Sequence, residues 1–363
     1  MRILVVNSGS SSLKLRLIGA DDSVLESDDL PPFDQTADQP IADVIGRYGH
    51  IDAVGHRIVH GGTAFTEPVR IDREVKETLR ALSDLAPLHQ PRSLAVLDTV
   101  TSLLPDAPAI ACFDTAFHAA IPPAAATYAL PREWRQRWEI RRYGFHGLSH
   151  SYSARRAAQL LDRPQEGLRL VTCHLGAGAS LAAVRDGRSI DTTMGFTPLD
   201  GLVMATRSGS VDPGLLLWLQ QRAGLTAEDL AEGLEHRSGL VGLAGTADMK
   251  AVLMAAEHGA GDARLALDVY THRLRAGIAA MTAALGGLDC LAFTGGVGEN
   301  APTVRQHAAD GLGFLGIVID GKRNRGNAGD GEIGSITASA STLVIYARED
   351  LEIAREVRQV LIG

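Results

Sequence analysis

A strand–turn–strand segment that occurs twice constrains this chain more than any other feature. The first copy opens with the apolar, β-branched run Ile3 to Val6 and breaks at Asn7-Ser8-Gly9. It resumes at Leu13-Lys14-Leu15-Arg16-Leu17 with alternation of period two. A buried strand, small hydroxylic residues and a half-buried strand together read as a hairpin. The second copy runs from Leu170 to Val184. It has an apolar run, His174 where the first copy has Asn7, Gly176 two positions on, small residues through Gly178, and a second apolar run. Such turns leave backbone N–H groups available to an anion, and Lys14 adds a point charge beside the first. Asn7 offers an amide oxygen that could orient a hydrated metal ion. The first copy alone reads slightly better as an ordinary hairpin. The repetition points instead to a duplicated fold that holds a phosphate.

At 363 residues the chain is long for one domain, and two is the natural count. A net charge of −8 and a pI near 5.8 argue against nucleic acid or an anionic membrane as partner. No run is expected to reach transmembrane length, and the N-terminus enters a strand without a leader pattern. Cys112, Cys173 and Cys290 each sit in an apolar, strand-like run. They read as buried thiols of a cytoplasmic protein. Lysines occur only at 14, 76, 250 and 322, so basic chemistry falls to arginine.

Residues 21–50 read as connecting structure with a short amphipathic segment at Ile41–Tyr48. A strand-like run then ends at Gly55-His56-Arg57-Ile58-Val59-His60-Gly61-Gly62. Arg57 within it either pairs with a structural carboxylate or faces a ligand, since an unpaired guanidinium is not buried. Residues 72–85 and 94–104 have helical spacing. His89 lies between them in the Pro-flanked loop Pro87-Leu88-His89-Gln90-Pro91. The strand Ala109 to Phe113 ends in Asp114, a position for a ligand-binding carboxylate or equally for a cap. Arg141-Arg142-Tyr143-Gly144-Phe145-His146-Gly147 mixes cations, aromatics and glycine at an entropic cost that structure alone does not require. The long irregular stretch 191–214 carries Arg207 between Thr206 and Ser208, a placement suited to an oxyanion. Segments 215–222, 227–234 and 265–285 read as helices. A strand ending at Thr294 leads into Gly295-Gly296-Val297-Gly298-Glu299-Asn300, a glycine loop before a helix near residues 302–310, where nucleotide phosphates or ribose fit. Residues 322–334 read as a surface loop, 341–346 as a strand and 349–361 as an amphipathic helix.

Together these stretches resemble the acetate kinase family, within the sugar kinase/Hsp70/actin superfamily, over nearly the whole chain. The resemblance rests on Asn7-Ser-Gly-Ser-Ser-Ser-Leu-Lys14, Gly55-His-Arg-Ile-Val-His-Gly-Gly62, Phe113-Asp-Thr-Ala-Phe-His118 and Tyr143-Gly-Phe-His-Gly147. It also rests on Pro87-Leu-His89, His174-Leu-Gly176, Asp191-Thr-Thr-Met-Gly-Phe-Thr-Pro198, Thr206-Arg-Ser-Gly209, Asp212-Pro213 and Phe293-Thr-Gly-Gly-Val-Gly-Glu-Asn300. It implies an α/β protein of two duplicated βββαβαβα domains with an active-site cleft between them. The first would span residues 1–116, completed by a C-terminal helix at 351–363, and the second residues 117–350. The implied activity is reversible phosphoryl transfer from ATP to a short carboxylate, acetate first and propionate next, by a homodimer. A carboxylate is already a competent nucleophile, so the site needs cations more than a general base.

By the same resemblance, Arg57 and Arg207 would clamp the carboxylate and phosphoryl oxygens. His146 would hydrogen-bond the phosphoryl in flight, with His89 nearby, and Asp114 would orient the arginines or the metal. Asn7 and Glu349 would position Mg²⁺ or Mn²⁺. Val59, Leu88, Phe145 and Pro198 would line the acyl pocket. The nucleotide would lie against His174, Gly176 and Gly178, against Asp248, Met249 and Lys250, and against Gly296, Val297, Gly298 and Asn300. The chain departs from the family pattern at Ala177 (usually Asn), Lys250 (usually Arg), Ala205 and Ser210 (Gly and Asp), Gln90 and Leu148 (Asn and Thr), and Tyr346-Ala347-Arg348 before Glu349. Most departures fall on the nucleotide side, which predicts a weaker or altered donor preference. A phosphotransferase using pyrophosphate or another nucleotide, or a non-catalytic nucleotide-binding relative, stands as the alternative.

Overall fold

The structure, a computed structural model, describes residues 1–9, 12–33, 39–86 and 90–362. Twelve strands form among them: β1 (Ile3–Ser8), β2 (Leu13–Ile18), β3 (Val24–Leu30), β4 (Ala53–Ile58), β5 (Val69–Arg70), β6 (Ala109–Phe113), β7 (Arg169–Leu175), β8 (Ala179–Arg185), β9 (Arg188–Thr192), β10 (Cys290–Thr294), β11 (Gly331–Glu332) and β12 (Ser341–Val344). They make two six-stranded sheets, ordered β3-β2-β1-β4-β6-β5 and, read from the matching edge, β9-β8-β7-β10-β12-β11. In each, an antiparallel meander leads into two parallel pairings and ends on a short antiparallel edge strand. The two sheets are thus one plan used twice, and the echo between β1–β2 and β7–β8 is its trace in the sequence.

Contacts divide the chain into two units. The first contains Met1–Ala119, Phe145–Tyr152 and Arg348–Gly363; the second contains Ala120–Gly144 and Ser153–Ala347. Residues 117–119, 145–152 and 348–350, assigned to the second domain on sequence, therefore pack with the first.

In the first unit, alternation along β1 sends side chains to two cores. Leu4 and Val6 join Leu13, Leu15 and Leu17 against Ile41, Val44 and Ile45 of the helix Gln39–Tyr48. Ile3 and Val5 face the helix Glu349–Ile362 through Ile353, Ala354 and Val357. Gly55 of β4 lets that helix seat: a Cβ there would lie 2.5 Å from Ile353 Cγ2 and 2.7 Å from Val357 Cγ2. In the second unit the 25-residue helix Gly261–Leu285 covers β7, β8 and β9.

Four sequence expectations require correction. Residues 24–30, read as connecting structure, form β3, whose exposed acidic pattern carries no apolar alternation; Asp28 and Asp29 pair with Arg47 and Arg16. The supposed surface loop 322–334 holds the short helix Gly321–Gly326 and β11. The glycine loop after β10 is a helix, Gly295–Asn300, starting directly at the strand end with Gly295 at φ +78°. Finally, Gly239–Glu257 is long and apolar enough by composition to cross a membrane, with mean hydropathy 1.3. The backbone breaks it into Gly239–Ala244 and Met249–Glu257, stopped by Gly245 at φ +72° and restarted at the N-cap Asp248.

Candidate functional site

In the first unit the ends of β1, β4 and β6 meet the start of the C-terminal helix, and four polar side chains form one chain of hydrogen bonds. Arg57 Nε donates to both Asp114 oxygens at 3.2 Å, and Nη2 donates to Oδ2 at 2.5 Å. Its Nη1 donates to Asn7 Oδ1 at 3.1 Å, and Asn7 Nδ2 donates to Glu349 Oε2 at 2.8 Å. Arg57 and Asp114 thus pair with each other across the β4 and β6 ends. Burial works against the Arg57 charge, but Asp114 and Glu349 outweigh it and raise its pKa above the ordinary value. Burial pushes the Asp114 carboxyl upward against the pull of Arg57. Glu349 opens its helix, where the N-terminal dipole favours an acid.

The Tyr143–Gly147 motif is split between the units. Phe145 is buried edge-on to His60 at 5.5 Å between ring centroids, and Val59 is buried nearby in sequence. His146 is half-buried and adopts φ +56°, a left-handed conformation uncommon outside glycine. Gly147 N donates to Asp114 O at 2.9 Å; a Cβ on Gly147 would lie 2.2 Å from that oxygen, so glycine is required. Among the departures, Gln90 brackets the His60 backbone through both amide atoms, and Leu148 joins the core under the C-terminal helix. Lys14 is exposed on β2, opposite Asn7 in the ladder. His89 and Leu88, like the turn residues Ser10 and Ser11, lie outside the described residues.

In the second unit, Arg207 sits in the irregular stretch after β9. Its Nη1 donates to Pro198 O at 2.9 Å and lies 3.6 Å from Met204 Sδ. Among the described residues it forms no salt bridge, and burial lowers its pKa. The stretch is tied down on all sides. Arg142 Nη1 donates to Thr193 O and Met194 O, Ser210 Oγ donates to Asp200, and Thr206 Oγ1 donates to Glu235 O. Ala205 N donates to Ala177 O at 3.1 Å, joining it to the turn between β7 and β8. That turn is narrow: Gly176 N donates to Gly178 O, and His174 stands half-buried at the end of β7. Loss of an asparagine at 177 removes a side-chain donor but leaves this main-chain tie.

The helix Gly295–Asn300 holds Gly296, Val297, Gly298 and Asn300, with Gly296 and Asn300 exposed. Two residues that sequence reasoning passed over secure it. Glu299 Oε1 accepts from Gly295 N and Ala347 N, and buried Arg305 donates to Gly298 O and Glu299 O. The available signal for the second was Arg305 at helical spacing from Ala301 and Ala308, on an otherwise apolar stripe. Asp248 caps the next element by accepting from Lys250 N; Met249 is buried and Lys250 exposed. No group of three or more His, Cys, Asp or Glu side chains suited to a metal gathers among the described residues.

The sequence matches the Acetokinase family over residues 34–355. It is 52% identical over 320 residues to acetate kinase of Gloeobacter violaceus, covering 88% of this chain and 79% of that one. The fold superposes on the crystal structure of Porphyromonas gingivalis acetate kinase with TM-score 0.91 at 36% identity, covering 99% of each chain. A propionate kinase from Francisella tularensis subsp. tularensis SCHU S4 matches equally, TM-score 0.91 at 36% identity over 98% of each. With the duplicated sheets, the buried Arg57–Asp114 pair and these likenesses together, the chain belongs to the acetokinase family.

Proposed function

We propose that this protein transfers the γ-phosphoryl group of ATP to acetate, reversibly, giving acetyl phosphate and ADP. The acetate oxygen attacks the γ-phosphorus while the bond to the β,γ-bridging oxygen breaks. The observation that carries this reading is the hydrogen-bonded series Asp114–Arg57–Asn7–Glu349. It fixes a guanidinium and a carboxylate at adjoining strand and helix ends, and a carboxylate substrate needs no general base to attack. Arg57, oriented by Asp114, holds acetate through charge-assisted hydrogen bonds. His146 donates to the phosphoryl oxygens in flight. Arg207, half-buried and without a salt bridge among the described residues, gains most where phosphoryl charge spreads. Val59 and Phe145, both buried in the first unit, receive the methyl group. His174, Gly176 and Gly178, the Asp248–Lys250 segment and the Gly296–Asn300 turn receive the nucleotide, with Lys14 adding charge.

Glu349 supplies the carboxylate that a hard divalent ion takes, and Asn7, whose Oδ1 accepts from Arg57 Nη1 and whose Nδ2 donates to Glu349, would act on it through water. When bound, Mg²⁺ or Mn²⁺ neutralises phosphate charge. The protein is further proposed to be a cytoplasmic homodimer. Leu215, Leu217 and Trp218, all exposed on the helix Pro213–Arg222, supply apolar surface for a second copy, which light scattering reads as a doubled mass.

The test traps acetyl phosphate with hydroxylamine, using ATP, Mg²⁺ and acetate, with propionate, GTP and pyrophosphate in parallel. Acetate is expected to lead, with propionate reduced by about 10–200-fold in kcat/KM for its extra methylene. Turnover with pyrophosphate and none with ATP would overturn the reading. Arg57→Ala and Arg207→Ala are each expected to lower kcat at least a hundredfold.

A further inference from the structure

We propose that His118 is a positioning residue that aims His146 by holding the Phe145–His146 peptide from behind. The inference rests on the reading of His146 given above, but its observations are separate. His118 is fully buried, and its Nε2 lies 3.1 Å from Phe145 O. A carbonyl oxygen only accepts, so Nε2 carries the proton and the ring is the Nε2–H tautomer. Burial lowers its pKa to about 4, so the ring stays a neutral donor throughout the working range. Its plane is set by Phe117 and His150, both edge-on at centroid distances of 5.5 and 5.6 Å.

The need for such a hold is visible in the turn itself. His146 is one of five non-glycine residues with positive φ among the described residues. A left-handed non-glycine residue persists only where its surroundings over-determine it. Here the peptide before His146 is anchored by His118, and the one after it by Gly147 N donating to Asp114 O at 2.9 Å. His150 N donating to His146 O then starts the helix Gly147–Leu160. Asp114 and His118 both belong to the segment that leaves β6 and turns through Ala116–His118. One short segment therefore sets Arg57 through a side chain and the His146 turn through a backbone carbonyl and an imidazole.

The experiment compares His118→Leu, which removes the donor, with His118→Gln, which keeps an N–H at similar reach. Both are assayed with ATP and acetate. His118→Leu is expected to lower kcat about 10–100-fold with both KM values within twofold, and His118→Gln to recover most of the loss. A raised KM with kcat intact, or equal loss in both variants, would overturn the proposal. A readout on the wild-type protein guards against a leucine variant that fails to fold. In ¹⁵N-histidine spectra, the signals that vanish in His118→Gln must be those of an Nε2–H tautomer. An Nδ1–H pattern overturns the proposal. His146→Ala separates the two readings: full activity there sinks the role of His146 itself. An inactive His146→Ala beside a fully active His118→Leu sinks only the present inference.

Discussion

Asp114→Asn is the substitution whose effect follows most directly from the geometry. The change keeps the side-chain shape and leaves the backbone O of residue 114 to accept from Gly147 N, while it removes the charge and turns one of the two acceptors of Arg57 into an amide donor. It strands Arg57, whose side chain is 14% exposed, opposite a position that is 1% exposed. Removing one partner of a buried ion pair costs roughly 3–5 kcal/mol, because the other charge stays desolvated. Asn7 Oδ1 still accepts from Arg57 Nη1, which places the loss at the lower end, about 3 kcal/mol. With a slope of roughly 2 kcal/mol per M, the urea midpoint of the first unit falls by about 1.5 M. The three tryptophans, Trp134, Trp138 and Trp218, all lie in the second unit, so their fluorescence follows that unit while far-UV circular dichroism follows both. The dichroism transition is expected to move down and split from the fluorescence transition. Arg57→Met combined with Asp114→Leu supplies the decisive comparison, since replacing both partners by apolar groups is often close to neutral. A midpoint change for Asp114→Asn worth under about 0.5 kcal/mol, the range of surface substitutions, would refute the argument. So would a double variant as unstable as the two single changes added.

Two further predictions concern residues outside the reacting groups. Glu356 is buried on the C-terminal helix with one carboxyl oxygen unpartnered; burial, then the charge of Glu352, raises its pKa to about 8, with Cys112, Arg355 and Asp114 also facing it. The folded state therefore keeps a proton that the unfolded chain releases above pH 4.5. Stability should fall as pH rises from about 4.5 to 8, by up to ~1.4 kcal/mol per pH unit, and level off beyond. Glu356→Gln should flatten that slope in urea midpoints taken across pH; an unchanged slope counts against it. Glu299→Ala removes the acceptor of Gly295 N and Ala347 N, a loss of roughly 1–3 kcal/mol per stranded donor. It should raise KM for ATP severalfold with KM for acetate unchanged, in initial-rate kinetics; the reverse pattern would refute this role.

What could be read from the chain in advance was set by how local each signal is. The β1–β2 and β7–β8 segments declare themselves through alternation, and their shared plan anticipates the duplicated sheets. β3 did not, because an edge strand with one solvated face and a run such as Glu26-Ser27-Asp28-Asp29 carries no apolar period. Gly295–Asn300 read as a loop because glycine lowers helix propensity; the Glu299 carboxylate returning to Gly295 N is a tertiary compensation that no propensity encodes. The pairing of Arg57 with Asp114 could not be read from sequence either. The two are 57 residues apart, and only the parallel pairing of β4 with β6 brings them side by side.

The two arginines at the centre of the proposal are prepared in opposite ways. Arg57 meets its counter-charge inside the protein, so its orientation exists before any ligand arrives, and under the proposal acetate would meet a guanidinium already neutralised in part. Among the described residues Arg207 is held by a peptide carbonyl and a thioether and forms no salt bridge, and desolvation outweighs the more distant Glu235 charge. A partly desolvated charge in that condition is stabilised by whatever anion reaches it, and more so as that anion gathers charge. Differential stabilisation of this kind is what accelerates a reaction, because an interaction equally strong in ground and transition states does not. The pre-neutralised arginine thus suits substrate orientation, and the unsatisfied one suits the phosphoryl group in transfer.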